Sequence, residues 1–284
     1  MIGAAVWRGM GDDRDRRGGM SLRMRLLPTS AGDTSGAQPL TTFIINETIA
    51  LDAGSLGYAL TAEEMAKVRN IILTHAHLDH TASLPTAIAE VFPLLRRPWL
   101  VHAEQATIDA VRQHLFNDAM WVDFSKLPLL HSPEGSIQFK VVKAREPFIL
   151  DGVKFTGIPV EHPVPTLGYL IETETESVLF TADTCRTDEI WEAANAAKNL
   201  RAVFVECSFP NRLEGLANAS GHLTPNMVAD EVAKLKTRVP VYCVHLKPSM
   251  REQLLKELKP LAKLGITPAE VGKVYEWGFG KSEI

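Results

Sequence analysis

In the stretch THAHLDHTASLPT, residues 74–86, three histidines and one aspartate fall within six consecutive positions, His75 to His80. Alternate residues of an extended or tightly turning segment face the same way. His75 and His77 can therefore share one metal ion while Asp79 and His80 serve another just beyond. Four such groups cannot all lie unpaired in an apolar core. The plain alternative is a polar surface turn, but nothing else in the chain crowds histidines this way. Imidazole and carboxylate ligands suit zinc, iron or manganese. The cysteines Cys185, Cys207 and Cys243 are far apart and form no CxxC pair. That argues against a sulfur-rich structural zinc site and against a disulfide framework.

More ligands must come from elsewhere, and His162, Asp183 and His245 are in similar settings, at or just after the ends of the apolar stretches TGIPVE, SVLFTA and PVYCV. One such residue alone is more often structural; three beside the cluster reverse that expectation. A second feature is ECSFPN…SGHLTP, residues 206–225. GHLTPNMVADEV has a helix-start signature: Thr224 can cap, Pro225 fits the first turn, and Met227, Val228 and Val232 have core-facing spacing. His222 then falls in a turn, where an imidazole oriented by a carboxylate such as Glu206 can donate a proton near neutral pH. A surface histidine is the plain alternative. Phe116, Asn117 and Trp121, in FNDAMW after a helical stretch, could receive a nucleobase by stacking, with lid core as the plain reading. Lys247, two residues past His245, could reach a phosphate, or be a solvated surface lysine.

The elements that must carry these residues are legible as a pattern. LRMRLL, TTFIIN and TIALDAG read as a meander of short strands, and VRNIILTH as a buried strand ending in the histidine cluster. SLPTAIAEVF and AEQATIDAVRQHLF have helical spacing on either side of the strand PWLVHA, and residues 115–135 read as an irregular lid. IQFKVVK, VKFTGIPVEH, TLGYLIETE and SVLFTADT read as a second meander. The helix DEIWEAANAAKN, strand RAVFVECS, helix TPNMVADEVAKLK, strand PVYCVH and helix SMREQLLKELKPLAKL follow. Meander followed by helix and strand alternation thus occurs twice, which predicts an α/β protein, an αββα sandwich of two similar halves.

THAHLDH, His162, the TADT around Asp183 and His245 together resemble the metallo-β-lactamase superfamily over residues 22–280, and LDAG at 51–54 is similar to its early strand and turn. The resemblance implies two mixed β-sheets flanked by helices, with two divalent metal ions, zinc before iron or manganese. It assigns one ion to His75, His77 and His162 and the other to Asp79, His80 and His245, with Asp183 bridging. Ala182 stands where many relatives have glycine. The leucine of HLDH, FNDAMW and above all ECSFPN…SGHLTP resemble the class II cyclic-nucleotide phosphodiesterases. That implies hydrolysis of cAMP or cGMP to 5'-nucleotides by a metal-activated water oriented by Asp79, with His222 as proton donor and Glu206 as its orienter. The alternatives are a tRNA 3'-processing type of phosphodiesterase, lactamase or thioesterase chemistry, and a non-enzymatic scaffold, which the full ligand set disfavours.

A formal net charge of -4 gives no general reason to expect a long polyanion. The expected partner is a small cyclic nucleotide and not polymeric nucleic acid, with monomer and homodimer both open. No apolar run approaches the ~20 residues that cross a bilayer, so no membrane association is expected, and the scattered cysteines favour a reducing compartment, which makes the cytoplasm the expected location. Residues 1–20 read as a disordered leader or an overlong start, and 21–284 as one hydrolase domain.

Overall fold

The computed structural model describes residues 21–278. Strand β1 (Leu22–Leu26) buries Leu22, Met24 and Leu26 and turns Arg23 and Arg25 outward, the period of two that a sheet with one buried face demands. It opens an antiparallel meander with β2 (Phe43–Ile45) and β3 (Ile49–Leu51). Strands β4 (Asn70–Ile72), β5 (Trp99–Ala103) and β6 (Ile137–Val141) then add in parallel. Parallel neighbours need crossovers. These are supplied by the helices α1 (Leu56–Ala59), α2 (Ala62–Met65), α3 (Leu78–Thr81), α4 (Leu84–Val91) and α5 (Gln105–His114).

The second half repeats the scheme. Strands β7 (Pro147–Leu150), β8 (Val153–Pro159), β9 (Leu167–Glu172) and β10 (Ser177–Phe180) form the meander. Strands β11 (Leu200–Glu206), β12 (Val241–Val244) and β13 (Ile266–Pro268) continue in parallel from β10. Helices α6 (Glu189–Ala196), α7 (Glu214–Ser220), α8 (Pro225–Val232) and α9 (Arg251–Leu258) make the connections. The last strand, β14 (Val274–Trp277), returns to pair with β1, so each sheet has seven strands.

Three apolar clusters define the layers. One joins residues of both sheets, among them Met24, Phe43, Ile72, Phe155, Phe180 and Phe204. A second joins the outer face of the first sheet to α1, α2, α4 and α5 through Leu56, Met65, Ile88 and Ile108. A third does the same for the second sheet through Ile190, Trp191, Met227 and Leu254. The order helix, sheet, sheet, helix is the expected αββα sandwich.

Two assignments change. IQFKV does not open the second meander; it is the edge strand β6 of the first sheet, parallel to β5. Its half-exposed pattern suits either place, and only the crossover decides. The second meander starts instead at β7, PFIL, which pairs with β8 and was not expected, nor were the short β13 and β14. The anticipated leader, residues 1–20, lies outside the described residues, as do 279–284.

The pairing directions gather the chemistry at one edge. β3 and β4 are parallel, as are β10, β11 and β12, and β8 shares their direction because two antiparallel pairings separate it from β10. Residues just past the C-terminal ends of these strands therefore meet, as ligand sites do in α/β sheets. At three of these ends, Asp52, Ala182 and His245, the backbone turns through the left-handed region, with φ of 61°, 55° and 60°.

Candidate functional site

The loop after β4 enters α3 through His77, whose extended backbone precedes the first helical turn. That turn brings His80 back under the cluster, buried, while Asp79 stays one-third exposed at the mouth. One ligand atom each from His75, His77 and His162 lie within 4.8 Å of one another, and so do those of Asp79, His80, Asp183 and His245. Asp183 lies between the groups. Its Oδ2 is 3.4 Å from His80 Nε2, 3.4 Å from His245 Nε2 and 3.9 Å from His75 Nε2. The structure thus brings together all seven residues singled out as ligands.

Hydrogen bonds at the far side of each ring determine which nitrogen faces the site. His162 Nδ1 donates to the Gly221 carbonyl at 2.9 Å, which leaves Nε2 as the lone-pair atom. Gly221 has φ 71°, and a Cβ there would lie 2.5 Å from Pro163 Cδ and 3.0 Å from His162 Nδ1, so the close approach requires glycine. His80 Nδ1 donates to Asp52 Oδ2 at 2.8 Å. Thr74 donates its hydroxyl proton to the same carboxylate, so His75 Nδ1 donates to Thr74 Oγ1 at 2.9 Å. His75 Nε2 and His80 Nε2 are then buried without a hydrogen-bond partner among the described residues. Orphaned nitrogens in such a place cost about 1–3 kcal/mol each, and one divalent cation in each group would satisfy them. The donor set therefore fits a potential dinuclear metal site.

Electrostatics hold most of the candidate ligands ready. His80 is the exception: burial opposes its charge, but Asp183 and then Asp52 outweigh burial and raise it well above the usual imidazole range, so an ion binding there would displace its proton. Burial holds His75, His77 and His162 below the usual imidazole range, in the neutral form that binds metal. Burial opposes the Asp183 carboxylate, yet His245 and His80 outweigh it and hold the group well below its ordinary range. Asp79 is lowered in the same way, against its burial, by the hydrogen bond from His245 Nε2 at 2.9 Å and by the His80 charge.

A further group adjoins the second. Glu206, the buried last residue of β11, accepts from His222 Nδ1 at 2.8 Å and from the Thr184 amide at 3.2 Å. Burial opposes protonation of His222, but Glu206 outweighs it and raises the imidazole above its usual range. Thr224 caps α8 through the Met227 amide, which places His222 in the preceding turn. Lys247 lies beside this pair, its Nζ 5.2 Å from the Phe209 ring centre and its charge acting on His222.

Phe116, Asn117 and Trp121 are elsewhere. The crossover from β5 to parallel β6 must return to the N-terminal edge, and Phe124 O already accepts from Ile137 N at the start of β6. Phe116 is buried in the outer cluster of the first sheet. Asn117 caps its own turn, accepting from the Ala119 and Met120 amides. Trp121 pairs with Phe116 in an isolated bridge. The irregular segment thus lies at the sheet edge opposite the ligands, and α5, about 15 Å long at 1.5 Å per residue, accounts for the separation.

Sequence reasoning did not give Asp52, Thr74, Gly221 or Ser208 a role. LDAG was the one available signal, an acid directly after a strand. The other three act through a hydroxyl or a carbonyl, groups too common in any chain to stand out.

No helix among the described residues is long and apolar enough to cross a membrane. Compared by sequence with curated proteins, the chain has no match. Among solved structures it is similar to unliganded yeast PDE1, with TM-score 0.70 and 17% identity over 89% of this chain and 98% of that one. It is also similar to the metallo-beta-lactamase fold protein YhfI from Bacillus subtilis, with TM-score 0.68 and 19% identity over 90% and 99%. The short form of human tRNase Z follows with TM-score 0.62 and 14% identity over 89% and 98%. At such identities these likenesses speak for the fold. The sequence pattern of the beta-lactamase superfamily domain matches residues 53–246, a span that runs from the strand end at Ala53 past the last ligand, His245. With that match over most of its length, the chain belongs to the metallo-β-lactamase superfamily.

Proposed function

We propose that the protein is a metal-dependent phosphodiesterase that opens 3',5'-cyclic nucleotides, cAMP or cGMP, to 5'-nucleotides in the cytoplasm. The observation that carries this reading is the buried Glu206–His222 pair, 2.8 Å apart, set against the ligand groups. Two divalent cations, zinc first, would be held by His75, His77 and His162 and by Asp79, His80 and His245 with Asp183 between. Bound there, they supply Lewis-acid polarisation of the phosphoryl oxygens and a water acidic enough to attack at neutral pH.

This chain's own residues supply the rest. Asp79, the ligand of its group most open to solvent, accepts a hydrogen bond from the attacking water and orients it toward phosphorus. His222 gives its Nε2 proton to the departing 3' oxygen, and Glu206 holds the ring by its Nδ1–H and favours the protonated form. An alkoxide is a poor leaving group and needs that proton, whereas a thiolate leaves unaided. A positioned acid therefore fits phosphodiester chemistry better than thioester chemistry. Lys247, beside the Glu206–His222 pair, would meet a phosphate oxygen.

The test is to offer metal-reconstituted protein cyclic AMP in heavy-oxygen water beside a tRNA precursor and a β-lactam. The expected product is 5'-AMP with the label on phosphorus, read by mass spectrometry. Cleavage of the tRNA precursor with cyclic AMP untouched would transfer the site to RNA 3'-end processing, and 3'-AMP as product would reject the assigned leaving group.

A further inference from the structure

Ser208 has no role in the reaction as derived so far, yet it is fully buried and stands between its two halves. It follows Glu206 by two residues, and its amide donates to Leu223 O at 3.0 Å, which pins it to the turn that carries His222. Its Oγ lies 2.9 Å from Glu206 Oε2, 2.8 Å from His245 Nδ1, 3.3 Å from His222 Nδ1 and 3.3 Å from the His245 carbonyl oxygen.

A hydroxyl has one proton and two lone pairs, so these contacts can be ordered. Glu206 Oε1 already accepts from His222 Nδ1 and from the Thr184 amide, whereas Oε2 has Ser208 as its donor. A carboxylate oxygen accepts the stronger, charge-assisted bond, so the Ser208 proton goes to Oε2. At 2.8 Å the remaining contact to His245 must then run the other way, with Nδ1–H donating to Ser208 Oγ. With Nδ1 engaged in this way, His245 Nε2, which donates to Asp79 at 2.9 Å and lies 3.4 Å from Asp183, is the nitrogen that can give up its proton and turn a lone pair to a metal.

The first half of the molecule contains the same arrangement. Asp52 accepts from His80 Nδ1 and from the Thr74 hydroxyl, and Thr74 Oγ1 in turn accepts from His75 Nδ1. Carboxylate, hydroxyl and two imidazoles recur as Glu206, Ser208, His245 and His222, each set at the C-terminal edge of its sheet. In the first copy both imidazoles face the metal groups. In the second, one faces them and the other is the proton donor.

We infer that Ser208 is a positioning residue that ties a metal ligand to the proton-donor pair, fixing His245 as the Nδ1–H tautomer and Glu206 in the orientation that holds His222. The inference about His245 needs only the metal site; its extension to His222 rests on the phosphodiesterase reading. Loss of a group that orients a ligand histidine typically costs 10–100-fold in metal affinity. Ser208→Ala should therefore weaken one of two zinc ions by about 10–100-fold in chelator competition, and Ser208→Thr, which keeps the hydroxyl, should restore it to near the wild-type value.

Long-range nitrogen–proton NMR of the imidazoles gives a reading on wild-type protein with no variant needed. The zinc-loaded protein should show His245 protonated at Nδ1 and metallated at Nε2. The opposite tautomer in wild type, or a folded Ser208→Ala with unchanged affinity for both ions, would overturn the assignment. Neither readout depends on the substrate. A protein that passed both and left cyclic nucleotides intact would keep this inference and lose the proposed substrate.

Discussion

At the level of single residues the structure separates the roles of two histidines in similar settings, and the separation can be measured. His222 and His245 each meet a carboxylate within 3 Å: His222 meets Glu206, in a third close group that His245 shares, and His245 meets Asp79, in the second. His222→Ala should lower kcat on a cyclic nucleotide by a factor of roughly 10² to 10⁴, the range for a positioned acid, with two metals still bound. The same variant should lose far less on bis(p-nitrophenyl) phosphate, because nitrophenolate departs without a proton. Glu206→Gln should follow the same pattern with a smaller loss. His245→Ala should lose metal and fail equally on both substrates, and equal losses in the His222 variant would remove its donor role. Metal counts beside parallel kinetics decide this. The seven candidate ligands stand out in the sequence because the crowding of His75 to His80 has few other uses and gives three strand-end residues, each ordinary by itself, a common destination. Asp52 and Ser208 do not, since their work depends on which strands become neighbours. Phe116 and Trp121 were misplaced because an aromatic pair looks the same in a core and beside a base.

Elements hold these residues at a conformational cost, and two predictions belong to that level. Ala182 reaches Asp183 through φ 55° while buried, a backbone that costs an L-residue roughly 1–2 kcal/mol. Ala182→Gly relieves that strain but frees the unfolded chain by about 0.4–1 kcal/mol and loses a buried methyl worth about 0.8 kcal/mol. The terms nearly cancel, so the urea midpoint should hardly move. Ala182→Val adds β-branching at a conformation such residues avoid and should destabilise by at least about 2 kcal/mol, summing that backbone cost with overpacking; a neutral Val variant would contradict the turn. The second prediction concerns His102 on β5, whose Nε2 donates to Asn70 Oδ1 on β4 at 3.0 Å. Burial, then the Lys140 charge, pushes it down to about 4 from an ordinary 6.5. Above pH 6.5 it is neutral folded or unfolded. As the pH falls toward 4 only the unfolded chain takes the proton, so stability drops over that window by up to about 3 kcal/mol. Denaturation of chelator-treated wild type and His102→Gln should show the steeper acid loss in wild type, the excess being the His102 share, since His75, His77 and His162 are lowered in both; parallel curves would mean that His102 titrates freely. The strands themselves were legible from their apolar runs. The membership of β6 was not, because at a sheet edge its sequence satisfies either neighbour equally.

Across the whole molecule the ligand set crosses the boundary between the sheets. His75, His77, Asp79 and His80 follow β4 of the first sheet, while His162, Asp183 and His245 follow β8, β10 and β12 of the second. A bound ion therefore ties the sheets together at one edge, and it ties them only in the folded state. Its contribution follows from mass action: free metal at 100 times Kd adds about 2.7 kcal/mol per site and at 1,000 times about 4.1 kcal/mol. Two sites loaded at the lower figure give about 5 kcal/mol, and a chain of this size shifts by roughly 2–4 °C for each kcal/mol. Chelation should thus lower Tm by about 10–20 °C. It should not unfold the protein at room temperature, for two reasons. The cluster between the sheets, from Leu22 to Tyr275, contains none of the candidate ligands and is buried without any contribution from them. The site also neutralises itself: Asp79 accepts from His245 Nε2, Asp183 lies 3.4 Å from both His80 Nε2 and His245 Nε2, and Asp52 already pairs with His80. Far-UV circular dichroism should therefore be unchanged by chelation while the melting curve moves, with full recovery on adding zinc. A collapse of the spectrum on chelation would show that metal, and not the inter-sheet core, holds the halves together; an unmoved Tm would show that the seven side chains bind no ion.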